Sequence, residues 1–132
     1  MNSEKAVKVL IIDDEELVRI NLADYLEDDG FVVKSVSSGE EAIALLRKEH
    51  FDVAIVDIRL PGIDGNLFIL EAYKLQPDLR YLVHTGSPIY SLPPEITHVG
   101  VSHVHVFQKP LYDMGVISTK IMDLIQEVNA RE

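Results

Sequence analysis

Two rhythms of apolar residues alternate along this chain. Short, nearly continuous runs occupy residues 7–12 (Val-Lys-Val-Leu-Ile-Ile), 31–36 (Phe-Val-Val-Lys-Ser-Val), 53–56 (Val-Ala-Ile-Val), 81–84 (Tyr-Leu-Val-His) and 104–107 (Val-His-Val-Phe). Runs this short and rich in branched side chains read as strands, and a continuous one reads as a strand covered on both faces. Between them apolar residues return at helical spacing. The sets are Leu17, Val18, Leu22, Tyr25 and Leu26; Ala42, Ile43, Leu45 and Leu46; Leu67, Ile69, Leu70 and Tyr73; and Met114, Ile117, Ile121, Leu124, Ile125 and Val128. The last is the cleanest amphipathic pattern in the chain. The prediction is five strands, β1 to β5 in the order of the runs, alternating with helices α1 (about 15–28), α2, α3, α4 and α5.

Local signals sharpen these elements. Gly30 stops α1, and Ser38 with Glu41 forms a capping box that opens α2. Lys34 and Ser35 dilute β2 and mark it as an edge strand, and the mixed β5 is the other edge. Residues 88–99 fall where α4 belongs, yet Pro88, Pro93 and Pro94 interrupt them. Proline inside a helix costs about 3 kcal/mol, so a loop is expected and then a short helix starting near Pro94. Strands alternating with helices make a parallel sheet with right-handed crossovers and helices on both faces. The expected fold is α/β: a flavodoxin-like, doubly wound (βα)5 three-layer sandwich with strand order 2-1-3-4-5 and a short or irregular α4. At 132 residues the chain is expected to be a single domain over 1–132, with no output domain after α5.

Composition narrows the function. The chain has no cysteine, which excludes disulfides and thiolate metal sites. The 22 acidic residues outnumber the 12 basic ones, for a net charge of −10. That balance argues against direct nucleic-acid binding, which needs a basic footprint, and suits a divalent cation or a basic partner surface. No apolar run is long enough for a membrane span or a signal peptide, so no membrane insertion and a cytoplasmic location are expected.

The candidate chemistry lies where strands end. In a parallel sheet the residues just past β1, β3, β4 and β5 share one edge, and these are Asp13 and Asp14, Asp57, Thr85 and Lys109. Ligands bind at that edge beside the switch in strand order, which lies between β1 and β3 and sets Asp13 and Asp14 next to Asp57. Two unit charges about 4 Å apart repel by roughly 4 kcal/mol at an effective dielectric of 20, so three carboxylates need a proton or a cation among them. Oxygen-only ligands favour a hard cation, Mg²⁺ above all. A carboxylate can attack a phosphoryl donor and form an aspartyl-phosphate, with Lys109 and Thr85 pairing with phosphoryl oxygens. No side chain here is an obvious strong base for rapid hydrolysis, so a lasting mark is expected rather than fast turnover.

These stretches resemble the receiver domains of two-component response regulators. The resemblance rests on Leu10-Ile11-Ile12-Asp13-Asp14-Glu15, on residues 56–65 (Val-Asp-Ile-Arg-Leu-Pro-Gly-Ile-Asp-Gly), on His84-Thr85-Gly86 and on Lys109-Pro110, and it covers almost the whole chain. It implies that Asp57 is the phosphoacceptor. It implies that Asp14, Asp57 and the backbone carbonyl of Arg59 ligate Mg²⁺ directly while Asp13 acts through water. Thr85 and Lys109 become the switch hydroxyl and the phosphoryl partner, and the Lys109–Pro110 bond is expected to be cis. The implied partners are a sensor histidine kinase or phosphotransfer protein, a downstream target or output domain, and a second copy of the chain. Such a domain is not an enzyme beyond its own phosphorylation and dephosphorylation.

The chain also departs from the family pattern. The aromatic usually found three residues before the lysine is replaced by Val106, and Phe107 comes next. One step along a strand moves a side chain to the other face, which puts the usual threonine–aromatic coupling in question. Two other readings compete. A pseudo-receiver would dock without phosphorylation. A phosphatase of the haloacid dehalogenase type needs an Asp-x-Asp spacing, which neither Asp13-Asp14-Glu15 nor Asp57-Ile58-Arg59 has. His98, His103 and His105 suggest a metal cluster at first sight. His103 and His105 would share a strand face, but no carboxylate or cysteine joins them, and a surface or edge role is expected. Arg59 either borders the phosphoryl group or faces solvent.

Overall fold

The computed structural model describes residues 6–87 and 90–131. The five strands are β1 (Lys8–Ile12), β2 (Val32–Val36), β3 (Val53–Val56), β4 (Arg80–Thr85) and β5 (Val106–Gln108). The helices are α1 (Glu16–Asp28), α2 (Gly39–Leu46), α3 (Gly65–Leu75), α4 (Pro94–His98) and α5 (Gly115–Arg131). All strand pairs are parallel, and the sheet order is β2-β1-β3-β4-β5. This is the doubly wound order expected from the sequence.

The continuous apolar runs are explained by burial on both faces. Leu10, Ile12, Ala54, Val56, Tyr81 and Val83 pack with Ala42 and Leu46 of α2, Phe68, Ile69 and Ala72 of α3, and Ile96 of α4. Val9, Ile11, Val53, Ile55 and Leu82 pack on the opposite face with Leu22 and Leu26 of α1 and Ile117, Ile121 and Leu124 of α5. Alternation along each strand feeds the two layers in turn. A fully buried Val, Leu or Ile contributes roughly 1.5–3 kcal/mol, so β1 and β3, apolar on both faces, anchor the molecule. Leu17, placed in the α1 stripe by its spacing, is instead 75% exposed. Side chains of residues 128–131, Val128 of the α5 stripe among them, lie outside the described set.

Two local expectations need correction. The strand expected at 104–107 begins later, at Val106, because His103–His105 forms a turn of 3-10 helix. The Ser102 amide donates to His105 Nδ1 (3.0 Å) and closes that turn. His103 and His105 therefore share no strand face. In the capping box Ser38 Oγ does accept from the Glu41 amide (3.1 Å), but the Glu41 carboxylate reaches back to the amide of Ser37 (3.0 Å) rather than that of Ser38. The short α4 from Pro94 is as expected: Pro93 is its N-cap, Pro94 opens it, and Gly100 turns the chain away at φ +104.

One buried polar side chain stitches the lower end of the sheet. Gln76, just past α3 and before Pro77, donates to the carbonyls of Leu46 (2.9 Å) and Glu49 (2.8 Å) and accepts from the Phe51 amide (3.2 Å). It thereby ties the C-terminus of α2 to the entry of β3. Each buried backbone group left without a partner costs about 1–3 kcal/mol. Gln76→Leu is expected to lower stability by about 2–4 kcal/mol in urea unfolding, with the denaturant slope unchanged. A loss below about 1 kcal/mol would show that water replaces the amide.

Candidate functional site

Three residues of the upper sheet edge owe their positions to the sheet itself. The backbone ladder continues one residue past the strands. The Asp13 amide donates to the Val36 carbonyl (3.2 Å), the Asp57 amide to the Ile12 carbonyl (2.9 Å) and the Lys109 amide to the Thr85 carbonyl (2.8 Å). Each side chain therefore leaves from a backbone already fixed by its neighbour strand. Gly65 closes the turn behind Asp57. A Cβ there would collide with the Asp57 carbonyl and come within 2.7 Å of Ile58 Cα, so the α3 N-terminus approaches this closely only with glycine.

The side chains converge. Asp13 (2% exposed) and Asp57 (5% exposed) are buried, Asp14 is exposed, and one carboxylate oxygen of each lies within 4.8 Å of the others. Lys109 Nζ reaches Asp13 Oδ2 (2.9 Å), Asp57 Oδ2 (3.1 Å) and Glu15 Oε1 (2.6 Å). The remaining oxygens are held by the backbone: Asp13 Oδ1 accepts from the Glu15 amide (2.9 Å) and Asp57 Oδ1 from the Arg59 amide (3.3 Å). Arg19 donates to the Asp13 carbonyl (2.8 Å) and closes the loop from behind. The Lys109–Pro110 peptide is cis.

The electrostatics are those of one cation shared too widely. Three carboxylates, Asp13, Glu15 and Asp57, contact one ammonium, and Asp14 lies beside Asp13 and Asp57. Burial, helped by the Asp13 charge, pushes the Asp57 carboxyl above its usual range even though Lys109 pulls the other way. Burial opposes the charged form of Lys109, but hydrogen bonds to Glu15 and Asp13 with the charges of Asp13 and Asp57 outweigh it and hold the ammonium firmly protonated. Its hydrogen bond to Lys109 lowers Glu15. An oxygen-only cluster with excess negative charge and one exposed carboxylate, that of Asp14, fits a hard divalent cation.

Thr85 ends β4 with no exposed surface, and its hydroxyl accepts from the Ser87 amide (3.1 Å). Val106 is half-buried against the layer of α2 to α4 while Phe107 packs on the other layer, as the one-residue step requires. Arg59 is exposed. His98 and His103 are exposed and His105 half-buried, and the His/Asp/Glu cluster found among the described residues is the aspartate trio.

Three participants escape a reading by pattern. Glu15 looks like a helix-start charge, and only folding brings it to Lys109. Gln108 donates to the Ser87 carbonyl (2.5 Å). His84 is 5% exposed, and neither ring nitrogen has a hydrogen-bond partner among the described residues. Its one sequence signal is a polar residue in a strand run otherwise covered on both faces.

Comparison with known proteins agrees with this architecture. Residues 9–118 match the model of the response regulator receiver domain, and the chain belongs to that family. The chain is 32% identical over 98 residues to the response regulator GacA of Pseudomonas aeruginosa, covering 73% of this chain and 46% of that protein. It spans between 18% and 46% of the length of such curated relatives, several of them transcriptional regulators. Among solved structures, a response regulator of Burkholderia pseudomallei with a phosphorylated aspartic acid, calcium ion and citrate is 30% identical, with a TM-score of 0.77 over 95% of this chain and 72% of that one. A CheY-like receiver domain of Methanospirillum hungatei is 23% identical and shares the fold, with a TM-score of 0.83 over 97% of this chain and 100% of that one. The chain is thus a receiver domain of the kind found in two-component response regulators. No helix among its described residues is long and apolar enough to cross a membrane.

Two outcomes follow from the charge balance. Without a divalent cation, Asp57→Asn is expected to raise the thermal midpoint by a few degrees, because the wild-type carboxylate is ionised against burial and Asp13. A lower midpoint would mean that the Lys109 contact outweighs both. Burial, with the nearby Lys109 charge, lowers the His84 pKa from 6.5 to about 4. The unfolded chain therefore takes up this proton first, so stability from this group is complete above about 6.5 and is lost as pH falls towards 4. Between about pH 7 and pH 5 the wild type should lose about 2 kcal/mol more than His84→Leu in urea unfolding. Equal losses would show that the imidazole is not buried as described.

Proposed function

We propose that this chain works in the cytoplasm, that it accepts a phosphoryl group on Asp57 from the phosphohistidine of a sensor histidine kinase or phosphotransfer protein, and that a downstream protein or output domain reads the mark. The observation that carries this reading is the Lys109 ammonium held against Asp57 and Asp13 at the switch point of the sheet. Asp57 Oδ attacks phosphorus, the bond from phosphorus to the imidazole nitrogen breaks, and Lys109 transfers its hydrogen bonds from the carboxylates to a phosphoryl oxygen. Asp13, Asp14 and Asp57 with the carbonyl of Arg59 would hold Mg²⁺, which when bound neutralises charge on the transferring group. The Burkholderia relative, with its phosphorylated aspartate and calcium ion, supports the same use of the site. The Asp-x-Asp spacing of a haloacid dehalogenase phosphatase is absent at both Asp13 and Asp57, which favours a persistent mark over phosphatase turnover.

Transmission runs through Thr85. Its hydroxyl leaves the Ser87 amide to reach a phosphoryl oxygen, and the connection from β4 to α4 is then held by Gln108 on the Ser87 carbonyl and by Tyr90 Oη on Asn66 Oδ1 (2.6 Å). The mark thus biases a two-state element, and the aromatic absent at Val106 is not needed for this step.

Incubation with acetyl phosphate and Mg²⁺ followed by intact mass measurement tests the reading. One phosphoryl adduct is expected in the wild type, with none in Asp57→Asn or in EDTA. Lys109→Ala should slow its formation by about 10²-fold. No adduct in the wild type supports a pseudo-receiver, and continued release of phosphate from many esters supports a phosphatase.

A further inference from the structure

We propose that Glu15 is a positioning residue that restrains phosphorylation: its carboxylate occupies the place on the Lys109 ammonium that an incoming phosphoryl oxygen must take. This role rests on the phosphoacceptor reading of Asp57. Lys109 Nζ lies 2.6 Å from Glu15 Oε1, the shortest of the three contacts that the ammonium makes. An ammonium has three N–H donors and no more. Asp13, Glu15 and Asp57 present it with three carboxylates, so a phosphoryl oxygen gains a donor only when one of these contacts is given up.

Exposure picks out which contact yields. The side chains of Asp13 and Asp57 are 3% and 6% exposed, whereas that of Glu15 is 58% exposed. The aspartates therefore hold the ammonium from the buried side, and Glu15 covers it towards solvent, where a donor arrives. Parting a buried carboxylate from its cation leaves a charge out of water with nothing opposite it. Glu15, once displaced, is hydrated at once and loses little. A phosphoryl group brings more negative charge and more acceptor oxygens than one carboxylate, so it displaces Glu15 and is not excluded by it. Glu15 thus sets how readily the lysine is released, and the buried aspartates set where it sits beforehand.

The local fold does not explain a glutamate at this position. Glu15 is the N-cap of α1, yet its side chain makes no capping hydrogen bond. Ser, Thr, Asp or Asn would serve the helix better there. The carboxylate turns instead to a lysine 94 positions away. Its starting point is fixed, because the Glu15 amide donates to Asp13 Oδ1 (2.9 Å) and ties this backbone to the carboxylate on the other side of the ammonium. Glu16 carries the same charge one residue on, is exposed, and makes no ion pair with Lys109.

Three variants separate this contact from charge in general. Glu15→Gln keeps the length and removes the charge, Glu15→Asp keeps the charge and falls one methylene short, and Glu16→Gln removes the neighbouring charge. The readouts, at saturating Mg²⁺, are the second-order rate of adduct formation with acetyl phosphate and the affinity for beryllofluoride, an unreactive phosphoryl analogue, followed by amide NMR shifts. Urea unfolding of each variant is measured beside them. Glu15→Gln and Glu15→Asp are expected to raise both rate and affinity about fivefold, the change that about 1 kcal/mol provides, and Glu16→Gln by less than about twofold. A merely structural role would move the unfolding midpoint and leave the beryllofluoride affinity alone. The proposal is overturned if Glu15→Gln slows phosphorylation or only matches Glu16→Gln. Wild-type behaviour of Glu15→Asp overturns it too, since charge without reach would then suffice. A wild type that takes up neither phosphoryl group nor beryllofluoride refutes the reading of Asp57 and this role with it, whereas equal uptake by all the variants refutes the role of Glu15 alone.

Discussion

One ammonium shared among too many carboxylates is the constraint on which the upper edge of this molecule depends. Lys109 touches Asp13, Glu15 and Asp57 at once, and Asp14 adds a further negative charge beside them. Repulsion between such groups, several kcal/mol per pair at short range, is tolerable only because the lysine and the backbone amides of Glu15 and Arg59 occupy fixed places. The arrangement is held together but left short of positive charge. A site in that condition gains from an arriving cation, and it is poised to release its lysine once another anion is offered.

The fold supplies the fixed places. Strand order brings β1 and β3 side by side, and the backbone ladder carries on past both into Asp13 and Asp57. The two strands that deliver the carboxylates are also deeply buried, with apolar side chains above and below. Like charges are thus pressed together by the hydrophobic core, whose stabilisation the local repulsion only partly offsets. This division of labour places strain at the edge and stability in the middle of the sheet.

The parts of this design that could be read in the sequence are those where one residue's environment follows from its neighbours. Residues 53–56 are apolar without interruption because both faces are covered, and Asp57 stands out as the first polar residue after them. Asp13 stands out for the same reason, and Lys109 because Pro110 follows it. What escaped pattern reading is set by contacts distant in sequence. Glu15 reaches Lys109 across 94 positions, and Gln76 caps backbone groups near residues 46–51 that no local rule connects to it. The position of β5 slipped because Val104-His105-Val106-Phe107 has the alternation of a strand, while the pairing of Val83 with Val106 and the turn closed on Ser102 decide where the strand begins. His84 reads as an ordinary member of its strand until its two bare nitrogens are seen.

The three-residue length of β5 has a consequence for how the site can be dismantled. The carboxylates ride on strands flanked on both sides, whereas Lys109 follows an edge strand that pairs with β4 at three positions. Local opening free energy falls where few buried contacts and few ladder bonds hold a segment. The counter-charge therefore sits on one of the least anchored parts of the sheet, while Asp13 and Asp57 follow strands paired on both sides. Fraying of β5 alone would withdraw the ammonium and leave the aspartates in register, so the site can lose its cation by a local excursion while the domain stays folded.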